Sequence, residues 1–159
     1  MKPTSINHHQ RGMALLVSLV FLLLLTLIGL SSMQSATLQE KMTSSVMLRN
    51  QSFQVAEAAL RMGESAVQVA TYSLPVCTTA TQCAPPAESA TVTAAGRNSA
   101  SGVTWVAVPG GFYGVQNIGT TLTAVNVPSN TSATLYRITA VAVMGNNQRS
   151  VVESIYAKY

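Results

Sequence analysis

Several residue types that carry chemistry are scarce or missing in this chain of 159 residues. Aspartate is absent, and only 9% of the residues are charged, against about 25% in an average globular protein. Both histidines, His8 and His9, lie within the first ten residues, and neither a GxxxxGK[ST] nor a GxGxxG motif occurs. Catalytic triads, histidine metal clusters and histidine general bases need residues that the rest of the chain lacks. The composition therefore predicts a protein that is not an enzyme and that holds no metal or other cofactor.

What the chain does have is a long apolar run without charge. A short basic segment, residues 1–12, precedes the run from Met13 to Leu30, which only Ser18, Thr26 and Gly29 interrupt. As a helix rising about 1.5 Å per residue, this run is ~27 Å long, enough to cross the hydrocarbon core of a bilayer. A secretory signal peptide, a plain membrane anchor, and a cleaved leader that leaves the anchor in place all share this outline.

The junction between the two segments favours the cleaved leader. No A-x-A signal-peptidase site follows the apolar run, and the leader ends abruptly in Arg11-Gly12-Met13. The residues QRGMALLV, 10–17, resemble the class III leader junction of type IV prepilins. The longer stretch over residues 10–64, which includes FQVAEAALRMGE, is similar to the PilX-type minor pilins of type IVa pili. The resemblance implies that prepilin peptidase cuts between Gly12 and Met13 and methylates the new N-terminus on Met13.

One position departs from the pattern of most type IV pilins. The fifth residue after the implied cleavage is Val17, where such pilins carry a glutamate that neutralises the terminal ammonium of an adjacent subunit. A buried charge without a partner costs several kcal/mol, so a subunit with valine cannot make this pair with a subunit above it. The hypothesis is that this subunit belongs at the tip, or in the first complex assembled. The alternative is that valine is tolerated there because it is apolar.

The resemblance also implies a function, partners and a location. It predicts a minor pilin that primes pilus assembly and supports twitching motility, adhesion or DNA uptake. The partners would be the major pilin and other minor pilins, a tip adhesin of the PilY1 kind, prepilin peptidase, the inner-membrane assembly platform, and membrane lipid before assembly. The protein would be a single-pass bacterial inner-membrane protein with its head in the periplasm, and then part of the cell-surface pilus.

Two other functions remain open. A DNA- or ligand-binding tip protein of a competence pilus would need a basic patch to bind DNA. The basic residues Arg97, Arg137, Arg149 and Lys158 are scattered and offset by acidic ones, so nucleic acid is not an expected partner. A type II secretion minor pseudopilin is the second alternative, although the member that also lacks the fifth-position glutamate is usually much larger.

Helical spacing continues beyond the apolar run. No proline occurs between Pro3 and Pro75, and apolar residues recur at steps of three, four and seven, with Arg49 and Gly63 skipped. This stripe predicts a helix from about Met13 to Ala70 that divides into a membrane-spanning or pilus-core part, residues 13–36, and an amphipathic continuation, residues 37–74. Its members are Met42, Val46, Phe53, Ala56, Leu60, Val67, Ala70 and Leu74.

The composition changes again in residues 75–159, called the head below. Segments rich in β-branched and aromatic residues predict strands, and Gly145-Asn146-Asn147 predicts a hairpin turn between the last two. The expected fold is α+β and pilin-like: a long N-terminal helix whose second half packs on a small antiparallel sheet. Trp105, Phe112, Tyr113 and Tyr136 are interpreted as core residues rather than a binding patch. The predicted strands are Val103–Val108, Gly111–Val115, Thr121–Val127, Tyr136–Val143 and Ser150–Tyr156.

Cys77 and Cys83 lie in one short segment, VCTTATQCAPP, of the head. Their spacing differs from that of CxxC redox and zinc motifs, and no other cysteine or histidine lies near enough in sequence to complete a metal site. An exported domain meets an oxidising compartment, so the pair predicts a disulfide. Two buried thiols are the alternative.

Overall fold

The computed structural model describes residues 10–145 and 148–159. The fold is α+β, as predicted: one long helix, α1 (Gln10–Gln68), precedes a five-stranded antiparallel sheet. The chain divides into two compact units, Met1–Val46 and Met47–Tyr159. The predicted leader falls largely on residues 1–9, which lie outside the described part, as do Asn146 and Asn147 of the predicted turn.

The described residues of the first unit, 10–46, are all helical. Within the described residues, one helix (Gly12–Gln68) is long and apolar enough to cross a membrane, and none of its most apolar window is buried by the chain itself. The two hydroxyls in the apolar run bond back to the helix: Ser18 Oγ donates to the Leu15 carbonyl and Thr26 Oγ1 to the Leu23 carbonyl, each at 2.8 Å. The run therefore presents no unsatisfied side-chain donor to an apolar medium.

In the second unit, α1 ends at Gln68, so the predicted continuation of the helix to residue 74 is wrong about its last residues. The ammonium of Lys158 lies at this end and donates to the carbonyls of Val69 at 2.6 Å and Tyr72 at 3.0 Å. A cation at a helix C-terminus is favourable because the last carbonyls carry partial negative charge.

Two short helices and five strands follow α1, and each strand pairs with its neighbour in sequence. The long strands β3, β4 and β5 form the centre of the sheet, and the predicted hairpin of the last two strands is confirmed by antiparallel pairing from Val143↔Arg149 to Thr134↔Lys158. The elements are α2 (Ala80–Cys83), a 3₁₀ turn (Ala87–Ala90), β1 (Gly96–Arg97), β2 (Thr104–Val108), β3 (Gly111–Thr121), β4 (Ala133–Val143) and β5 (Arg149–Lys158).

The predicted strand Thr121–Val127 is wrong. Only Thr121 belongs to a strand, as the last residue of β3, and the rest form the loop to β4. Asn126 and Asn130 both adopt a φ of 62°, a left-handed conformation that ends an extended run and that asparagine tolerates. The backbone thus turns where the β-branched composition favours a strand.

Small residues form the face of α1 that packs on the sheet. Ser52, Ala56, Ala59, Gly63 and Val67 are buried at steps of three and four. This face differs from the predicted stripe, of which Ala56 and Val67 are buried while Met42, Val46 and Phe53 are exposed. Because α1 lies close to the sheet, only small side chains fit between them. The stripe of large apolar residues therefore does not mark the buried face of α1.

Two clusters form the core of the second unit. One joins Val67 of α1 to Val115, Tyr136 and Ile138 on the sheet. The other lies around Trp105 and joins it to Val92, Val103 and Val141. Trp105 and Tyr136 are each 3% exposed, which agrees with their interpretation as core residues.

Candidate functional site

The apolar surface of α1 between Met13 and Leu30 is the first candidate for function. Its large apolar side chains are between 48% and 68% exposed, and no charged residue occurs from Gly12 to Gln39. A continuous exposed apolar surface of this size requires lipid or other protein to cover it. This surface can therefore serve as a membrane anchor and as an interface with similar helices.

Gly12, Met13 and Val17 all lie in the first turns of α1. Met13 and Val17 are four residues apart, so their side chains lie on the same helix face, and they are 68% and 56% exposed. Glu40 is the first acidic residue of the chain. An ammonium at Met13 would thus find no carboxylate on its own helix within a turn.

Cys77 and Cys83 are joined by a disulfide, with their Cα atoms 5.3 Å apart. The bridge closes a loop that contains α2 and lies against β3 and β4. Gln116 Nε2 donates to the carbonyls of Gln82 at 2.6 Å and Ala84 at 3.1 Å. Arg137 Nη1 donates to the Cys83 carbonyl at 2.6 Å. Three successive carbonyls at the end of α2 are thereby held by two side chains of the sheet.

Arg137 is itself held by an acidic partner. Its Nε lies 3.0 Å from Oε1 of Glu153, and the two side chains are 14% and 33% exposed. Thr139 donates from Oγ1 to the other oxygen of Glu153 at 3.2 Å. The guanidinium links β5 to the disulfide loop through β4, and its planar fork suits this double role.

A second carboxylate fixes the chain between the disulfide and β2. Glu88 Oε1 accepts hydrogen bonds from Ser101 Oγ and, at 3.3 Å, from Trp105 Nε1. Arg149 Nη1 donates to the Val92 carbonyl at 2.7 Å. Contacts to β2, β4 and β5 thus hold a segment that has little regular structure of its own.

These contacts occupy most of the basic side chains of the head. Arg137, Arg149 and Lys158 each donate to backbone carbonyls, and Arg137 also pairs with Glu153. Such contacts hold the charges at separate places along the sheet. The arrangement offers no row of free cations that could follow a phosphate backbone.

The aromatic cluster at the end of α1 predicts a stability change at high pH. Burial, and then the neighbouring Tyr113 and Tyr136, raise the pKa of Tyr72 from 10.0 to about 12. Its neutral form is therefore favoured in the folded state, so the stability it contributes is complete below pH 10 and is lost between pH 10 and 12. We expect Tyr72→Phe to make this alkaline loss of stability shallower.

The measurement is urea unfolding at fixed pH steps between 9 and 12, followed by the fluorescence of Trp105, the single tryptophan. Lys158 donates to the Tyr72 carbonyl, and the substitution leaves this backbone contact in place. Tyr159→Phe is the matched control because Tyr159 is 70% exposed. Equal slopes for wild type and Tyr72→Phe would contradict the assignment.

Comparison with known proteins found one similarity, which lies in the N-terminal part of the chain. Residues 11–61 match the family model of the PilX N-terminal region. This match covers about a third of the chain. The PilX-type region contains Gly12, Met13 and Val17 and ends within α1, so the whole sheet lies outside it. No curated protein and no solved structure matches the chain significantly.

Over residues 11–61 the chain is thus similar to the start of a PilX-type pilin. The apolar helix that this region contains is consistent with a membrane anchor and with incorporation into a pilus.

Proposed function

We propose that this protein is a minor pilin that primes assembly of the type IV pilus and lies at or near its tip. In this proposal prepilin peptidase removes residues 1–12, Met13 becomes the methylated N-terminus, and α1 leaves the membrane to join the fibre. The partners are the other pilins, a PilY1-like tip adhesin and the inner-membrane platform. The fibre supports twitching motility, adhesion or DNA uptake.

The exposed, charge-free start of α1 with Val17 is the observation that carries the proposal. An ammonium on Met13 requires a carboxylate from another subunit, because its own helix supplies none before Glu40. The same helix offers no carboxylate at residue 17 to the ammonium of a subunit above. The ammonium of Met13 can pair with a carboxylate of the subunit below, but residue 17 offers no carboxylate to the subunit above. This suits a subunit that has a neighbour below it only.

Replacing Val17 with glutamate tests the tip position. The added carboxylate can pair with the ammonium of a subunit above, so the variant should no longer terminate the fibre. We expect immunogold labelling of sheared fibres to change from ends only to ends and shaft. Val17→Leu keeps the position apolar, and Val20→Glu places the same charge one turn away, so both should remain at the ends.

The same fibre preparation checks the processing step. Intact-mass analysis of the wild-type protein should give a chain that begins at methylated Met13. A chain that begins downstream of Leu30 would show that α1 has lost its apolar part, and the proposal would fail. Val17→Glu protein found only at fibre ends would remove the argument for the tip while leaving membership of the fibre intact.

A DNA-binding tip protein of a competence pilus is less well supported, because Arg137, Arg149 and Lys158 already donate to backbone carbonyls. A secretion pseudopilin that caps its fibre shares the absence of the fifth-position glutamate. Its usual inserted helical domain has no counterpart in the described head, whose helices are α2 and the 3₁₀ turn.

A further inference from the structure

A pocket of about 410 Å³ opens beside β3, between β2 and the segment that follows α1. Its volume falls in the range of about 300–1,000 Å³ that is typical of ligand sites. The segment after α1 contributes Leu74 to Cys77, β2 contributes Thr104 and Val106, and β3 contributes Tyr113 and the residues from Val115 to Asn117.

The pocket coincides with a gap in the pairing of β3. Pairing with β2 stops at Val106↔Tyr113, although β2 itself extends back to Thr104 and pairs with β1 on its other edge. Pairing resumes at Asn117, which forms a parallel bridge with Val76. Among the described residues, Gly114–Gln116 have no strand partner on this edge.

The backbone of Val115 faces this gap. Alternate residues of a strand direct their N–H and C=O groups to opposite edges. The carbonyl of Asn117 faces the gap side, since it accepts from the Cys77 N–H at 2.9 Å. Val115, two residues earlier, therefore presents its N–H and C=O to the pocket, as one residue of an unpaired strand edge does.

The lining has a definite chemical character. Tyr72, Leu74 and Tyr113 supply apolar walls, and Arg97 is the one charged residue among the lining side chains. Gln116 is only 6% exposed, and its Oε1 is a buried acceptor without a partner among the described residues. The pocket thus combines strand-edge backbone groups, apolar walls, and a cation without an acidic lining residue.

We propose that this pocket binds an extended peptide segment of another protein, one that carries an apolar side chain and a carboxylate. The peptide backbone pairs with Val115 and fills the gap in β3, as in strand addition. The apolar side chain packs against Tyr72 and Leu74, and the carboxylate binds the guanidinium of Arg97. The proposal does not depend on where in the fibre the subunit lies.

The test uses the full chain in lipid nanodiscs and a peptide, TVTVE, that carries fluorescein on its N-terminal amine and has a free C-terminus. We expect saturable fluorescence anisotropy and slower amide hydrogen exchange over Tyr113–Asn117. Arg97→Gln should weaken binding by about tenfold, as expected for loss of a charge-assisted contact. It should leave the binding of the C-terminally amidated peptide TVTVQ unchanged. Arg61→Gln is the matched control, because Arg61 lies on α1 outside the pocket and is 79% exposed.

A second pair of variants tests the pocket itself. Val76→Trp fills the space beside Asn117 and should reduce affinity by at least about tenfold, whereas Val151→Trp, on the far strand and equally exposed, should not. Equal binding by the two tryptophan variants would overturn the proposal. So would the absence of anisotropy change for wild type, or protection of Tyr113–Asn117 by maltose and not by the peptide, which would assign the pocket to carbohydrate.

Discussion

Replacing Gly63 with leucine is expected to lower the free energy of unfolding of the second unit by about 3 kcal/mol. A Cβ at residue 63 would lie 2.6 Å from Ile138 Cγ2 and 3.1 Å from a ring carbon of Tyr113. Ile138 is fully buried, so it has no room to move aside. The intrinsic helix preference for leucine over glycine is worth less than about 1 kcal/mol and cannot offset this overlap.

The measurement for Gly63→Leu is thermal unfolding followed by Trp105 fluorescence, for which we expect a midpoint lower by more than about 10 °C. Ala58→Leu is the matched control, since Ala58 lies on the exposed face of α1 and tolerates the larger side chain. If both variants unfold at the wild-type temperature, the close contact between α1 and β4 is not maintained in solution.

Replacing Arg137 with methionine is expected to cost about 2–3 kcal/mol. The change removes the donor to the Cys83 carbonyl and leaves Glu153 without its cation. Methionine preserves the bulk of the stem, so the loss reports on the polar contacts rather than on a cavity. Arg61→Met should cost less than about 1 kcal/mol, because the Arg61–Glu64 pair is a surface ion pair.

A double-mutant cycle separates the two contacts of Arg137. Glu153→Gln in the Arg137→Met background removes the unpaired charge and should recover part of the stability, as measured by urea unfolding. The part of the stability loss that is not recovered comes from the missing hydrogen bond between Arg137 and the Cys83 carbonyl in the disulfide loop. Strictly additive effects of the two substitutions would mean that Arg137 and Glu153 do not interact in solution.

Local patterns were sufficient for the outer elements of the fold. The run from Met13 to Leu30 is apolar on every face, and a chain of this size is too small to bury such a helix. Its exposure in the structure therefore follows from its length and composition. The hairpin of β4 and β5 was equally predictable, because two β-branched segments flank the sequence Gly-Asn-Asn, which favours a turn. Each signal lies within a few consecutive residues.

The buried face of α1 was not predictable in this way. The helix approaches the sheet through Ser52, Ala56, Ala59 and Gly63, and such small residues do not stand out in an apolar pattern. The loop after Thr121 was missed for a related reason. Its β-branched residues favour a strand, whereas the left-handed conformation of Asn126 is set by the path of the chain to β4.

The sequence pointed to Val17 and to the cysteine pair as candidate site residues. It did not indicate which side chains surround the disulfide. Gln116 and Arg137 meet the carbonyls of α2 across more than thirty residues of chain, and no local pattern reports such contacts. The gap beside Val115 was hidden for the same reason, since it depends on where pairing between β2 and β3 stops.

Strand β5 forms side-chain hydrogen bonds with α1 and with the turn after it, which are the first elements of the second unit in the sequence. Ser150 bonds Ser52, Ser154 bonds Glu64, and Lys158 bonds the turn after α1. These three contacts join residues that are 89 to 98 positions apart in the sequence, so none of them forms before β5 is in place. Docking of β5 therefore joins α1 to the sheet by side-chain hydrogen bonds, in addition to the apolar packing around Val67.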